Sequence, residues 1–301
     1  MTGLLLHDVT ARDVRVRFAE IGKGPPLVLL HDVLADRSQW DDVRGGLAEN
    51  HRVVIPDLPG FGESEKPEER RFRYDVDSFA ESMVDLIAAA RLGRVHMAGL
   101  GLGALVAMGV AARHPSLVHK LVLVAPPLFG ARAWEALPLA SVPIVGPLVV
   151  KQLVGRALFR RHFRERVHGT RTPDKDARVD QLFERFDSPA AREAALRTLA
   201  AMADTRATEA SIGRIGAPTL VVWGRDSRIG SPEIGRKLAR QLAKATLEIT
   251  TGGHATPEDA PDEFTALTKQ FLEPPPPRRR RSQPDEAEVA GRKAARGSRS
   301  S

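Results

Sequence analysis

Between His96 and Gly109 the chain reads HMAGLGLGALVAMG, a short apolar run passing through alternate glycines into an Ala, Leu, Val and Met segment. That pattern predicts a strand, a tight turn and a helix in immediate succession. The same rhythm continues on either side. The apolar runs PLVLLHD, RVVIPDLPG, LVHKLVLVAPP, APTLVVWG and TLEIT alternate with segments of helical periodicity. Strand-length runs that stay apolar throughout belong to strands covered on both faces. The chain is therefore expected to be an α/β protein, with a mostly parallel sheet flanked by helices.

The rhythm breaks after LVLVAPP. From Pro126 to about Ile212 no strand pattern appears, Pro138, Pro143 and Pro147 interrupt an apolar segment, and a basic amphipathic stretch runs from Leu148 to Val167. We expect one core formed by residues 1–125 and 213–273, with residues 126–212 inserted after the sixth strand as a helical cap or lid. In KQLVGRALFRRHFRERV, Leu158, Phe159 and Phe163 alternate with Arg156, Arg160, Arg161, Arg164 and Arg166. This suits a lid helix with its arginines in water, or else a weak contact with a membrane surface. An apolar lid implies a small hydrophobic ligand beneath it.

Residues 274–301 begin PPPPRRRR and carry eight basic against three acidic residues, which leaves 37 basic and 35 acidic in the rest of the chain. The net charge of +7 is thus mostly a property of this segment, which is expected to be a disordered basic tail. A near-neutral body gives no reason to expect specific nucleic-acid binding. The chain has no cysteine, so thiol nucleophiles, disulfides and cysteine-ligated metals are excluded. Neither a signal-peptide pattern nor an apolar run of membrane-spanning length is present, and a cytoplasmic protein is expected.

Two chemistries use a glycine-rich strand-to-helix turn. Gly99, Gly101 and Ala104 fit the dinucleotide pattern, but no acid ends the following strand, and at least two strands precede the motif. No cofactor or metal is therefore expected. The other chemistry is the nucleophile elbow, in which the central position of G-x-S-x-G carries a serine.

Here the chain resembles the α/β-hydrolase family from about Val14 to Leu272, through PLVLLHD, VVIPDLPGFGESEKP, AGLGLGALVA, APTLVVWGRDS and TGGHA in order. The resemblance implies a nucleophile, an acid and a histidine, in that order along the chain. Gly101 occupies the nucleophile position and Ser227 the acid position, with Asp226 one place earlier as a possible displaced acid. His254 is the retained histidine. Where relatives read His-Gly after the PLVLL strand this chain has His31-Asp32, which brings a carboxylate to the oxyanion-hole region alongside Val33 and Leu102.

The expectation is a hydrolase fold without serine-type hydrolysis, which acts by binding a small hydrophobic ligand or a partner. The alternative is an active enzyme that uses His254 with Asp32 or Asp226. It would be a hydrolase of ester, lipid or C–C bonds, or a non-hydrolytic acid–base catalyst. Ser64 and His31 are expected to be structural. The sequence does not set the oligomeric state.

Overall fold

The computed structural model describes residues 3–131, 154–169 and 175–273. The tail at 274–301 and the proline-interrupted part of the cap lie outside these residues. Eight strands form one sheet: β1 (Leu5–Ala11), β2 (Val14–Ile21), β3 (Pro26–Leu30), β4 (Arg52–Pro56), β5 (Val95–Leu100), β6 (Val118–Val124), β7 (Thr219–Gly224) and β8 (Ala245–Thr250). Their order across the sheet is β1-β2-β4-β3-β5-β6-β7-β8. From β4 to β8 every neighbouring pair is parallel, while β1 and β2 are antiparallel to each other and β2 is antiparallel to β4. The strands β5 and β7 are buried along their whole length, as their unbroken apolar runs require.

The strand β1 is an addition to what the sequence pattern predicts. It pairs with β2 through the two-residue turn Arg12–Asp13, both at positive φ (52° and 57°). Two-residue hairpins use this backbone but usually advertise it with Asn-Gly or Asp-Gly, and Arg-Asp does not.

In the core, the helices α1 (Asp41–Leu47), α2 (Val76–Ala89) and α3 (Leu102–Arg113) pack beside the sheet, with a 3-10 turn at Arg37–Trp40 before α1. Asp75 caps α2 by accepting from Ser78 N at 2.7 Å. The helix α3 starts two residues earlier than its apolar periodicity suggests, directly after Gly101, and Leu102 to Ala112 are buried throughout.

Between β6 and β7 lies the segment expected to form the cap. Its described parts are α4 (Arg156–His162), a π turn (Phe163–Val167), α5 (Asp176–Phe186), α6 (Pro189–Met202) and α7 (Arg206–Ser211). Phe159 stacks within 5.1–5.5 Å of Phe163, Phe183 and Phe186, so the apolar side of the basic segment is consumed inside the cap. Arg156 and Arg160 pair with Asp180, and Arg164 pairs with Asp176. The aromatic rings of α4 are thus buried, and these arginines are paired. The chain then returns to the core through α8 (Pro232–Gln241), α9 (Thr256–Asp259) and α10 (Pro261–Leu272). Among the described residues, no helix is long and apolar enough to cross a membrane.

Candidate active site

Three loops meet at the C-terminal end of the parallel strands: the one after β3, the turn between β5 and α3, and the one after β8. In an open parallel sheet this is where ligands bind. Gly101 makes the turn with φ +53° and ψ −111°, a conformation in which only glycine is free of strain. Gly99 and Gly103 answer a different demand. A Cβ on Gly103 would overlap the Leu30 carbonyl, and one on Gly99 would overlap Gly103 itself. The helix can therefore lie directly against the strands.

The decisive contact is made by Asp32. A Cβ built on Gly101 would run into the Asp32 carboxylate, so this carboxylate fills the space where a side chain at that position would begin. Its Oδ1 accepts from the backbone N–H of Val33 and of Leu102, both at 2.7 Å. These are the two N–H groups that the resemblance assigns to an oxyanion hole. Leu102 is the first residue of α3, so the carboxylate also sits on the positive end of that helix and caps it, while Gly101 supplies no side-chain cap. The other oxygen, Oδ2, accepts from His254 Nε2 at 3.0 Å. Both residues are buried, and the Asp32 N–H is itself fixed by Gln39 Oε1 at 2.8 Å.

His254 is held from the backbone side. Its N–H and that of Ala255 donate to Val167 O of the cap, at 2.9 and 3.1 Å. Asp259 accepts from Gly253 N and Gly169 N, at 2.6 and 2.9 Å, and so ties the histidine loop to the same cap segment. On the ring, however, Nδ1 is buried without a hydrogen-bond partner. Ser227 therefore does not serve it, and its own Oγ is also buried and unpartnered. Asp226 does not serve it either. It is exposed, and its N–H is taken by Gly252 O in the turn after β7. That turn leaves the Asp226 side chain at the surface.

His31 is structural in its bonding. Nδ1 donates to Asp32 O at 2.7 Å, and Nε2 accepts from Leu58 N at 2.9 Å. Ser64 Oγ donates to Asp57 O at 2.6 Å and takes no part in the site.

Nothing in the sequence singles out His162, which stands among arginines in α4. The fold brings it over the Asp32–His254 pair, in a cavity also lined by Val33, Pro127, Val167, Met202 and Ile229. The room there for the centre of a water molecule is about 10 Å³, enough for about one water. Burial pushes the His162 imidazole down to about 4, with Arg166 and His254 adding to the effect and the Asp32 charge opposing it. Only the folded cap makes this contact, which is why local pattern reading misses it.

A second set of contacts fastens the cap. Arg185 of α5 pairs with the buried Asp36 in the loop after β3. Burial works against the Asp36 charge, but the Ser38 hydrogen bond and Arg185 together hold its carboxyl below the usual carboxylate value. His168 and Glu258 form a buried pair at 2.9 Å beside the histidine loop.

A family model described as alpha/beta hydrolase fold matches residues 25–261. The chain belongs to this family. It is 28% identical over 285 residues to an uncharacterized protein of Mycobacterium tuberculosis H37Rv, covering 88% of this chain and 80% of that one. It is 24% identical over 276 residues to the 2-hydroxy-6-oxo-6-phenylhexa-2,4-dienoate hydrolase of Burkholderia cepacia, covering 86% and 91% of the two chains. Among solved structures it is similar to a membrane phospholipase A described as a bacterial virulence factor. That match has a TM-score of 0.73 and 30% identity, over 90% of this chain and 86% of the other. The α/β-hydrolase fold has hydrolases among its members.

Proposed function

We propose that this chain keeps the hydrolase fold without serine-type hydrolysis and acts by binding. The observation that carries this reading is the Asp32 carboxylate. It occupies the nucleophile's space, holds both oxyanion-hole N–H groups and bonds to His254 Nε2. A bound carboxylate product would use the same three donors, so the centre resembles a hydrolase with its product built in. In serine hydrolases, loss of the nucleophile alone costs about a millionfold in turnover, and the remaining activity comes from the oxyanion hole and substrate binding. Here the hole is taken as well.

Room for about one water beside Asp32 favours a macromolecular partner over a small hydrophobic ligand seated on the old centre. The experiment is to expose the purified chain to a fluorophosphonate probe and to a panel of short- and long-chain acyl esters. Neither labelling nor turnover is expected. Covalent labelling, or turnover abolished in His254→Ala, would overturn the reading.

One arrangement favours a second reading. Asp32 and His254 form a buried bonded pair with His162 over it, and the His254 Nδ1 carries no hydrogen bond. Non-hydrolytic acid–base chemistry at this pair predicts that any turnover found disappears equally in Asp32→Asn and His254→Gln. Retention of turnover in either variant excludes it.

A further inference from the structure

The first strand of the order, β1, is an edge strand, and the large hydrophobic residues most exposed among the described residues are Leu5 and Leu6 on it (55% and 50%) and Leu4 just before it (38%). Edge strands that stay single are usually blunted by lysine, proline or a bulge. The segment Leu5–Ala11 has none of these; its one charged residue, Asp8, is paired with Arg15 and Arg17 of β2, and its pairing with β2 is continuous. Because the Arg12–Asp13 turn has two residues, Ala11 and Val14 form the closing hydrogen-bonded pair. Counting back by twos, Leu5, His7 and Val9 bond to β2, while Leu6, Asp8 and Thr10 turn their N–H and C=O groups outward.

We infer that this edge pairs with the same edge of a second copy of the chain, antiparallel about a two-fold axis at Leu5. An antiparallel edge is self-complementary under a two-fold, so the sheet continues from one copy into the other. The register follows from charge and apolar matching. An axis at Asp8 would set two carboxylates face to face, and an axis at Leu6 or His7 would press a leucine on Asp8. The axis at Leu5 sets Leu5 against Leu5 and Leu4 against Leu6. It also leaves each Asp8 with its own Arg15 and Arg17, at 2.9 and 2.6 Å. A ladder this short buries less than about 1,200 Å², the size of weak, concentration-dependent association. The inference does not depend on whether the centre at Asp32 is catalytic.

The chain has no cysteine, so a single introduced thiol reports the register directly. The full chain is followed by sedimentation over a wide concentration range, and Leu5→Cys and Thr10→Cys are treated with diamide. We expect a reversible monomer–dimer equilibrium that Leu5→Lys abolishes without changing the far-UV spectrum. Disulfide-linked dimer is expected in Leu5→Cys and not in Thr10→Cys, because this register sets the two Thr10 residues far apart on opposite sides of the axis. A wild-type chain that stays monomeric, a dimer that survives Leu5→Lys, or equal cross-linking of the two cysteine variants would each overturn the inference. Turnover or probe labelling of the wild type would bear only on the reading of the centre.

Discussion

At Asp32 one carboxylate satisfies two backbone donors and a histidine in a place with almost no water. Removing it strands all three. Breaking a buried hydrogen-bonded pair from one side typically costs about 3–5 kcal/mol. Asp32→Ala is therefore expected to lower unfolding free energy by about 2–4 kcal/mol in urea titration, the smaller range allowing for water entering the gap. A loss under about 0.5 kcal/mol, the size of an ordinary surface substitution, would mean that these bonds do not hold the loop. The residues of this centre were largely legible. Gly101, Asp32 and His254 each fall at a fixed place in a recognisable pattern, two of them as departures from it. What local pattern does not encode is where the Asp32 side chain ends up. Its position depends on the N-terminus of α3 and on a histidine 222 residues away, neither of which is a local property.

At the scale of elements, the cap is fastened along one seam by ion pairs and backbone bonds. Arg185 reaches from α5 to the buried Asp36, and the arginine side chain is 34% exposed. Its loss should therefore cost less than a fully buried pair, about 1–3 kcal/mol. Arg185→Ala is expected to raise hydrogen-exchange rates in α5 and α6 while β5 and β7 stay protected. Uniform acceleration across the sheet would show instead that cap and core open only together. The cap was legible as an interruption in the strand rhythm, and its start after β6 was predictable. The strand β1 was not, because LLLH shows no alternation and its turn lacks glycine and asparagine.

For the whole molecule, the parallel sheet followed from the apolar runs, whereas the strand order came only from the fold. That order sets three histidines side by side at the end of the sheet away from Asp32. His96 lies 5.8 Å from the His51 ring and 4.8 Å from that of His119. Burial pushes His96 down to about 4, and His119, His51, Lys120 and Arg94 push in the same direction. His162 in the cap is lowered to about 4 as well. In the unfolded chain both titrate near the ordinary 6.5. Between those values the unfolded state binds more protons, so stability is complete above about pH 6.5 and falls as the pH drops toward 4. Each histidine contributes up to about 3 kcal/mol of that loss. Unfolding midpoints measured from pH 7 to pH 4 should fall, and His96→Phe should flatten the slope. An unchanged slope in that variant would remove His96 from the account.

The central claim is that Asp32 stands where a nucleophile would. A double-mutant cycle on unfolding free energy, with Gly101→Ser, Asp32→Gly and the pair, tests it directly. Alone, Gly101→Ser should cost about 2–4 kcal/mol from backbone strain and collision with the carboxylate. With Asp32→Gly in place that collision is gone, and the pair should be more stable than the sum of the single losses by at least about 1 kcal/mol. Additivity within about 0.5 kcal/mol would contradict the claim, because it would mean that the two positions do not share the same space.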